Sequence, residues 1–146
     1  MVAVSNTSPI SGLAYIGRLD LLRSQFTEVC FPEAVRAELE RMPNPEAKSL
    51  IGQAIQAGWL RCLPVRNSRL AAALASGLDA GEAEAITLAT EIPADVLLID
   101  EKEGRSQARQ AGLPVRGVLG VLLRAKAGFF IAPSLETEVL RDAGEQ

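Results

Sequence analysis

The sequence contains no histidine among its 146 residues. This absence excludes Ser-His and Cys-His catalysis, imidazole acid–base chemistry and any zinc site that depends on histidine. The two cysteines, Cys30 and Cys62, are too far apart to form a CxxC pair, and each lies in a short apolar run. We therefore expect both to be buried thiols without a redox role. Carboxylates, hydroxyls, basic side chains and bound cations remain as the groups that can carry chemistry.

Long apolar stretches are missing as well. No run approaches the ~20 residues that a membrane-spanning helix needs, and residues 1–5 lack the basic start and the apolar core of a signal peptide. We therefore expect a cytoplasmic protein with no membrane partner. Because 48% of the residues are hydrophobic and no repeat or linker interrupts the chain, residues 1–146 are predicted to form a single domain around one core.

The net charge of −3 conceals a local excess of positive charge. The segment 102–126 contains one acid, Glu103, together with the basic residues Lys102, Arg105, Arg109, Arg116, Arg124 and Lys126. Such a segment can form a surface that attracts phosphate groups, although the overall charge does not suggest a nucleic-acid binder. The alternative interpretation is a solvated helix face with scattered salt bridges.

Short β-branched runs alternate with longer stretches of helical pattern. We predict strands over 2–5, 27–31, 60–65, 96–99 and 113–115. We predict helices over 8–16, 19–25, 32–41, 45–57, 68–75, 79–92, 101–111, 117–127 and 133–143, the first capped by Ser8 with Pro9 at its first helical position. Strands separated by helices indicate an α/β fold, a three-layer α/β/α sandwich with a central parallel sheet. Ligands of such sheets bind beyond the carboxyl ends of the strands.

Two of the predicted strands are followed by polar residues at that edge. The first strand runs into the polar segment 5–8, which includes Asn6, and Asp100 follows the fully apolar strand 96–99. An aspartate at this place is costly to leave unpaired. The alternative interpretation is that Asp100 caps the helix predicted to begin at Glu101.

One glutamate in each of two predicted helices faces the protein. Glu82 shares a helical face with apolar residues, and Glu38 lies at the margin of the apolar stripe of its own helix. The neighbouring Glu33 and Glu40 are predicted to point to the opposite side of their helix, and Glu84 and Glu91 toward solvent. Two alternatives stay open, because Asp79 and Glu82 have the spacing of a capping box and Glu38 can snorkel at the edge of the stripe.

These carboxylates suggest a cation site. Three of them, Glu38, Glu82 and Asp100, are expected to converge with Asn6 near the strand ends, where a bound cation would relieve the repulsion between like charges. Oxygen ligands without histidine or cysteine favour Mg²⁺ or Mn²⁺ over zinc. The chemistry suited to such a site is the hydrolysis of phosphodiesters.

Five segments of the chain resemble, in the same order, segments of PIN-domain proteins. They are residues 4–10 (VSNTSPI), 16–22 (IGRLDLL), 31–39 (FPEAVRAEL), 78–86 (LDAGEAEAI) and 98–105 (LIDEKEGR). No single motif is specific, but the ordered set is. The chain resembles a PIN-like branch related to VapC-type toxin ribonucleases, from Val2 to about Phe130.

The resemblance implies a parallel sheet between helices and an acidic Mg²⁺ or Mn²⁺ site that cuts RNA. It also implies a homodimer and a small antitoxin protein as a partner. By motif, the four acidic positions of the family, which are catalytic and hold the metal, fall on Asn6, Glu38, Glu82 and Asp100. Ser8 matches a small hydroxyl residue that binds a water or a substrate phosphate, and Glu101 falls where relatives often have a further acid. Lys102 and Arg105 are predicted to receive the RNA backbone.

The sequence departs from the family pattern at Asn6, where the family has aspartate. The amide oxygen of Asn6 can bind a metal ion but brings no charge, so metal affinity and catalysis should be weakened. The alternative is a PIN-fold module that binds RNA or a protein partner without cutting RNA. A phospho-acceptor or phosphatase domain is a weaker alternative, because that chemistry needs an aspartate nucleophile after the first strand.

Overall fold

The computed structural model describes residues 1–130, and the side chains of residues 1–127. Within this range the chain forms strands β1 (Val2–Ser5), β2 (Glu28–Phe31), β3 (Leu60–Cys62), β4 (Val96–Leu98) and β5 (Val115–Arg116). The helices are α1 (Thr7–Tyr15), α2 (Asp20–Gln25), α3 (Glu33–Glu40), α4 (Pro45–Ala57), α5 (Ser68–Leu74), α6 (Ala80–Glu91), α7 (Lys102–Gln110) and α8 (Val118–Phe130). The helix predicted over 133–143 lies outside the described residues.

The five strands form one parallel sheet in the order β3-β2-β1-β4-β5. The central strand β1 lies between β2 and β4, so that Val4 is paired with Cys30 on one side and with Leu97 on the other. The pairing continues one residue past β1, because Asn6 N–H donates to the carbonyl of Leu98 (2.9 Å). Residues that follow β1 and β4 therefore lie at the same edge of the sheet.

Helices cover both faces of the sheet. Alternate strand residues point to opposite faces, and the buried residues form two clusters accordingly. Ala3 packs with residues of α1, α2, α3, α4 and α8, whereas Val4 packs with residues of α6 and α7. The predicted three-layer α/β/α sandwich with a central parallel sheet is confirmed.

The first helix begins earlier than predicted. Asn6, in an extended conformation, is the N-cap of α1, whereas Ser8 and Pro9 lie inside the helix. Pro9 occupies the third helical position, where a backbone N–H has no partner within the helix, so the missing donor costs nothing there. The prediction that Ser8 caps this helix is therefore wrong.

Two glutamates that were predicted to point toward solvent accept hydrogen bonds from backbone N–H groups of other segments. Glu84 Oε1 accepts a hydrogen bond from Ala34 N at the start of α3 (3.1 Å). The carboxylate of Glu91 accepts from the N–H groups of Arg66 (2.9 Å) and Asn67 (2.6 Å) in the loop before α5. Both contacts join segments far apart in sequence, so helical periodicity alone could not reveal them.

The two thiols differ in burial. Cys30 is buried as predicted, but Cys62, at the end of β3 beside the sheet edge, is only half-buried. Burial raises the pKa of Cys30 to about 12, with a smaller contribution from its hydrogen bond to Glu28, and burial also raises the pKa of Cys62. No helix in the described part of the chain, residues 1–130, is long and apolar enough to cross a bilayer.

Candidate active site

Asn6 lies at the carboxyl edge of the sheet, directly after β1. Its side chain is 5% exposed and makes no capping hydrogen bond to α1. Within the described part of the chain, its Oδ1 has no hydrogen-bond donor at all. A buried acceptor without a partner costs roughly 1–3 kcal/mol. The fold thus holds at position 6 an oxygen atom that is suited to an additional electropositive partner.

Glu38 of α3 meets Asn6 above the first turn of α6. A Cβ atom at position 81 would lie 2.6 Å from Glu38 Oε1 and 3.2 Å from Asn6 Oδ1. Both oxygens therefore face the bare Cα of Gly81. Glu38 is half-buried, so its carboxylate lies at the border between this small space and solvent. The structure brings these two predicted site residues together.

Glu82 faces inward and also belongs to a capping box. Its Oε1 accepts from Asp79 N (3.1 Å), and Asp79 Oδ1 accepts from Glu82 N (2.8 Å). The second oxygen, Oε2, faces α7, 3.4 Å from the place of a Cβ on Gly104. The side chain is buried, and this burial is the main reason why the pKa of Glu82 is raised, although the backbone N–H of Asp79 opposes the shift. The capping-box interpretation and the inward orientation are both correct.

Asp100 contacts the start of α8 and is not the N-cap of the helix predicted to begin at Glu101. Its Oδ1 accepts a hydrogen bond of 2.6 Å from Val118 N, at the start of α8. The N-cap of α7 is Glu101, whose side chain accepts from Glu103 N (3.3 Å). The interpretation that Asp100 caps the helix after it is therefore wrong, and the helix predicted from Glu101 begins at Lys102.

The remaining predicted residues lie around this edge. Ser8 is exposed in the first turn of α1, and its carbonyl accepts a hydrogen bond from the hydroxyl of Ser11 (3.4 Å). Lys102 is exposed and Arg105 is half-buried, both on α7. An acidic surface pocket of about 450 Å³ lies beside the starts of α6 and α7, lined among others by Asp79, Glu82, Glu101 and Glu103. Sequence reasoning did not identify Gly81 or Val118 as parts of this region.

The donor atoms fit one hard divalent cation. Among residues 1–130 no three acidic or cysteine side chains are grouped closely enough to form a metal site by themselves. One oxygen each of Glu82 and Asp100 already accepts from a backbone N–H. The amide oxygen of Asn6, which has no donor among the described residues, lies beside the carboxylate of Glu38. Mg²⁺ is commonly bound through one or two carboxylates and keeps several waters, so this oxygen pair suits it and the similarly hard Mn²⁺.

Comparison with known families identifies the family of this chain. The model of the DUF3368 family, described as a PIN domain, matches residues 2–144. The chain belongs to the PIN-domain family. The PIN domain is a nuclease fold, and PIN domains generally use divalent metal ions. The family predicted from the five sequence segments is thereby confirmed.

A solved structure shares the fold of this PIN domain. It is a PilT N-terminus domain protein, SSO1118, from the hyperthermophilic archaeon Sulfolobus solfataricus P2, and it superimposes with a TM-score of 0.55. The two sequences are 19% identical over 84% of this chain and 91% of that chain. At this identity the similarity concerns the fold alone. No curated protein matches this PIN domain.

Proposed function

We propose that this PIN domain is a Mg²⁺- or Mn²⁺-dependent endoribonuclease whose activity is weakened by asparagine at position 6. The observation that carries the proposal is the buried, unpartnered Oδ1 of Asn6 beside the carboxylate of Glu38, at the carboxyl edge of a sheet with a nuclease fold. Asn6 and Glu38 would hold the cation. Glu82 and Asp100 would contribute negative charge near the cation.

The residues around the cation would bind and orient the RNA. When bound, the cation would neutralise charge on the scissile phosphate and lower the pKa of a water molecule. Ser8, exposed on α1, would donate its hydroxyl to a phosphate oxygen. Lys102 and Arg105 on α7 would bind neighbouring phosphates, and such contacts position the strand without reading its sequence. RNA binding should therefore weaken steeply with added salt.

The neutral side chain at position 6 sets the expected strength of this site. Replacing a carboxylate by an amide keeps an oxygen ligand but removes a full charge next to the cation, so the cation binds less tightly. The oxygen of Asn6 is nevertheless buried and oriented by the backbone bond from Asn6 N to Leu98. We therefore expect the site to be weakened rather than abolished.

An RNA cleavage assay tests the proposal. Structured and unstructured RNAs are incubated with Mn²⁺ and with the wild type, Asn6→Asp, or Glu38→Gln, which keeps the shape of Glu38 but removes its charge. Asn6→Asp should cut faster than the wild type, and Glu38→Gln should cut more slowly. Cleavage that persists in a chelator, or that Glu38→Gln leaves unchanged, would contradict the assignment.

The finer assignments are extrapolated from the resemblance to VapC-type toxins. We propose the toxin role, a small antitoxin that covers the site, a homodimer and a cytoplasmic location together, because all four follow from that resemblance. A small reading frame next to the gene, whose product binds this chain and suppresses cleavage, would support them. A monomer that forms no complex with such a product would argue against them.

A second function is favoured by one specific observation. Position 6 is neutral, and no three acidic side chains in the described residues form a ready metal site. A PIN-fold module that binds RNA or a protein without cutting would have these properties. In the cleavage assay it would bind RNA in a salt-dependent manner, while neither the wild type nor Asn6→Asp would cut.

A further inference from the structure

We infer that Gly81 is a positioning residue of the cation site, an inference that rests on the proposed function. Gly81 lies in the first turn of α6, between Ala80 and Glu82, in a helix that is otherwise rich in alanine. Glycine is the least favourable helix residue apart from proline. Its backbone conformation is not left-handed, since the positive-φ glycines of the described residues lie elsewhere. Backbone conformation therefore does not explain why glycine occupies position 81. The lack of space for a side chain does.

The space above Gly81 is filled by the two proposed ligands. A Cβ at position 81 would lie 2.6 Å from Glu38 Oε1, 3.4 Å from Glu38 Cδ and 3.2 Å from Asn6 Oδ1. The first distance is shorter than a real contact of a Cβ atom, so one side must move. Asn6 is buried and held by its backbone. The half-buried carboxylate of Glu38 is the group that can swing away.

A side chain at position 81 would consequently separate the ligand pair without unfolding the protein. Glu38 would rotate toward solvent, while α6 would gain the higher helix propensity of alanine. The absence of a side chain at Gly81 thus places the Glu38 carboxylate beside Asn6. Gly81 acts through Glu38 and touches neither the cation nor the RNA.

Mn²⁺ titration of the metal-free protein tests this role. Gly81→Ala should weaken Mn²⁺ binding about tenfold or more, as loss of a supporting residue commonly does, while the melting temperature in a chelator stays within a few degrees of the wild type. Gly52→Ala in α4 is the matched control, because a Cβ there meets no atom within 4 Å. It makes the same chemical change inside a helix and should leave Mn²⁺ binding unchanged.

A shorter acid at position 38 provides a rescue. In the Gly81→Ala background, Glu38→Asp retracts the carboxylate by one methylene and should recover part of the lost affinity. In the wild-type background the same substitution should weaken Mn²⁺ binding. The effect of Glu38→Asp on Mn²⁺ affinity should therefore have opposite signs in the two backgrounds, which shows that positions 38 and 81 are coupled. Equal losses from Glu38→Asp in both backgrounds would overturn the inference.

A crystal structure of metal-free Gly81→Ala separates this inference from the proposed function. The expected result is a Glu38 carboxylate displaced from Asn6. A carboxylate still beside Asn6 would refute the positioning role whether or not the protein binds metal. If neither the wild type nor Asn6→Asp binds Mn²⁺, the proposed function fails, and the displacement of Glu38 still decides the role of Gly81.

Discussion

Substituting Asn6→Asp introduces the charge that the resemblance to PIN domains implies for this position, and its effect can be worked out from the geometry. The new carboxylate would face Glu38 across the bare Cα of Gly81, at a site that is 5% exposed. For a separation of about 5 Å and an effective dielectric constant of about 20, the repulsion is about 3 kcal/mol. Without metal, the free energy of unfolding should fall by about this amount, which lowers the melting temperature by roughly 10 °C.

Mn²⁺ should reverse this loss. A second charged ligand should strengthen Mn²⁺ binding by about tenfold to a hundredfold, or roughly 1.4–2.7 kcal/mol. At a concentration of 100 times the dissociation constant, bound metal stabilises the fold by about 2.7 kcal/mol. Asn6→Asp should therefore be less stable than the wild type in a chelator and close to it, or above it, in Mn²⁺.

Thermal unfolding with and without Mn²⁺, together with calorimetric titration, measures both quantities. Asn44→Asp is the control, because Asn44 caps α4 with a hydrogen bond of 2.9 Å from Ala47 N, and aspartate serves equally well at an N-cap. This control should change neither stability nor metal binding appreciably. If Asn6→Asp matches the wild type in a chelator and responds to Mn²⁺ no more than Asn44→Asp, the reasoning is refuted.

Three further measurements follow from single contacts. Because burial raises the pKa of Glu82, the stability of the metal-free protein should fall as the pH rises from 4.5, the ordinary value, through the raised pKa, and should then level off. Glu82→Gln should remove this decrease in urea unfolding between pH 4 and 8, and an unchanged pH profile would contradict it. A thiol reagent followed by mass spectrometry should modify half-buried Cys62 before Cys30, whose pKa is about 12 and whose side chain is buried, and the reverse order would contradict this. Glu91→Ala should cost about 1–2 kcal/mol in chemical denaturation, since its carboxylate accepts from two backbone N–H groups, and a loss below about 0.3 kcal/mol would show that water replaces these bonds.

The ends of a helix could be predicted from the sequence where residues at those ends, such as proline and glycine, mark them. The helix α4 was predicted with its observed bounds, because Pro43 and Pro45 interrupt the chain before it and Gly58, which has a φ of 91°, ends it. The structure adds Asn44 as its N-cap. The start of α1 was misplaced because Asn6 and Ser8 are both good cap residues. The end of β1 at Ser5 was predicted correctly, but the hydrogen bond from Asn6 N–H to the carbonyl of Leu98 on β4, which holds Asn6 before α1, is not visible in the local sequence.

The positions of some candidate site residues could be predicted from the sequence, but the contacts that hold them could not. Inward-facing Glu82 could be identified from helical spacing, and the sheet edge that carries Asn6 from the alternation of strands and helices. The hydrogen bond between Asp100 and Val118 joins residues 18 positions apart. Because α7 and β5 lie between them, no local pattern describes this contact. The role inferred for Gly81 depends on its distances to Glu38 of α3 and to Asn6 after β1. These distances are known only from the three-dimensional structure.

A crystal structure of the protein soaked in Mn²⁺ tests the cation site most directly, because manganese is identified by its anomalous scattering. We expect an anomalous peak for a manganese ion bound by Oδ1 of Asn6 and by the carboxylate of Glu38, next to Gly81. A map without a peak there at a Mn²⁺ concentration about a thousandfold above the dissociation constant of Asn6→Asp, at which the weaker wild-type site is also filled, would contradict this expectation, as would manganese bound only elsewhere on the protein.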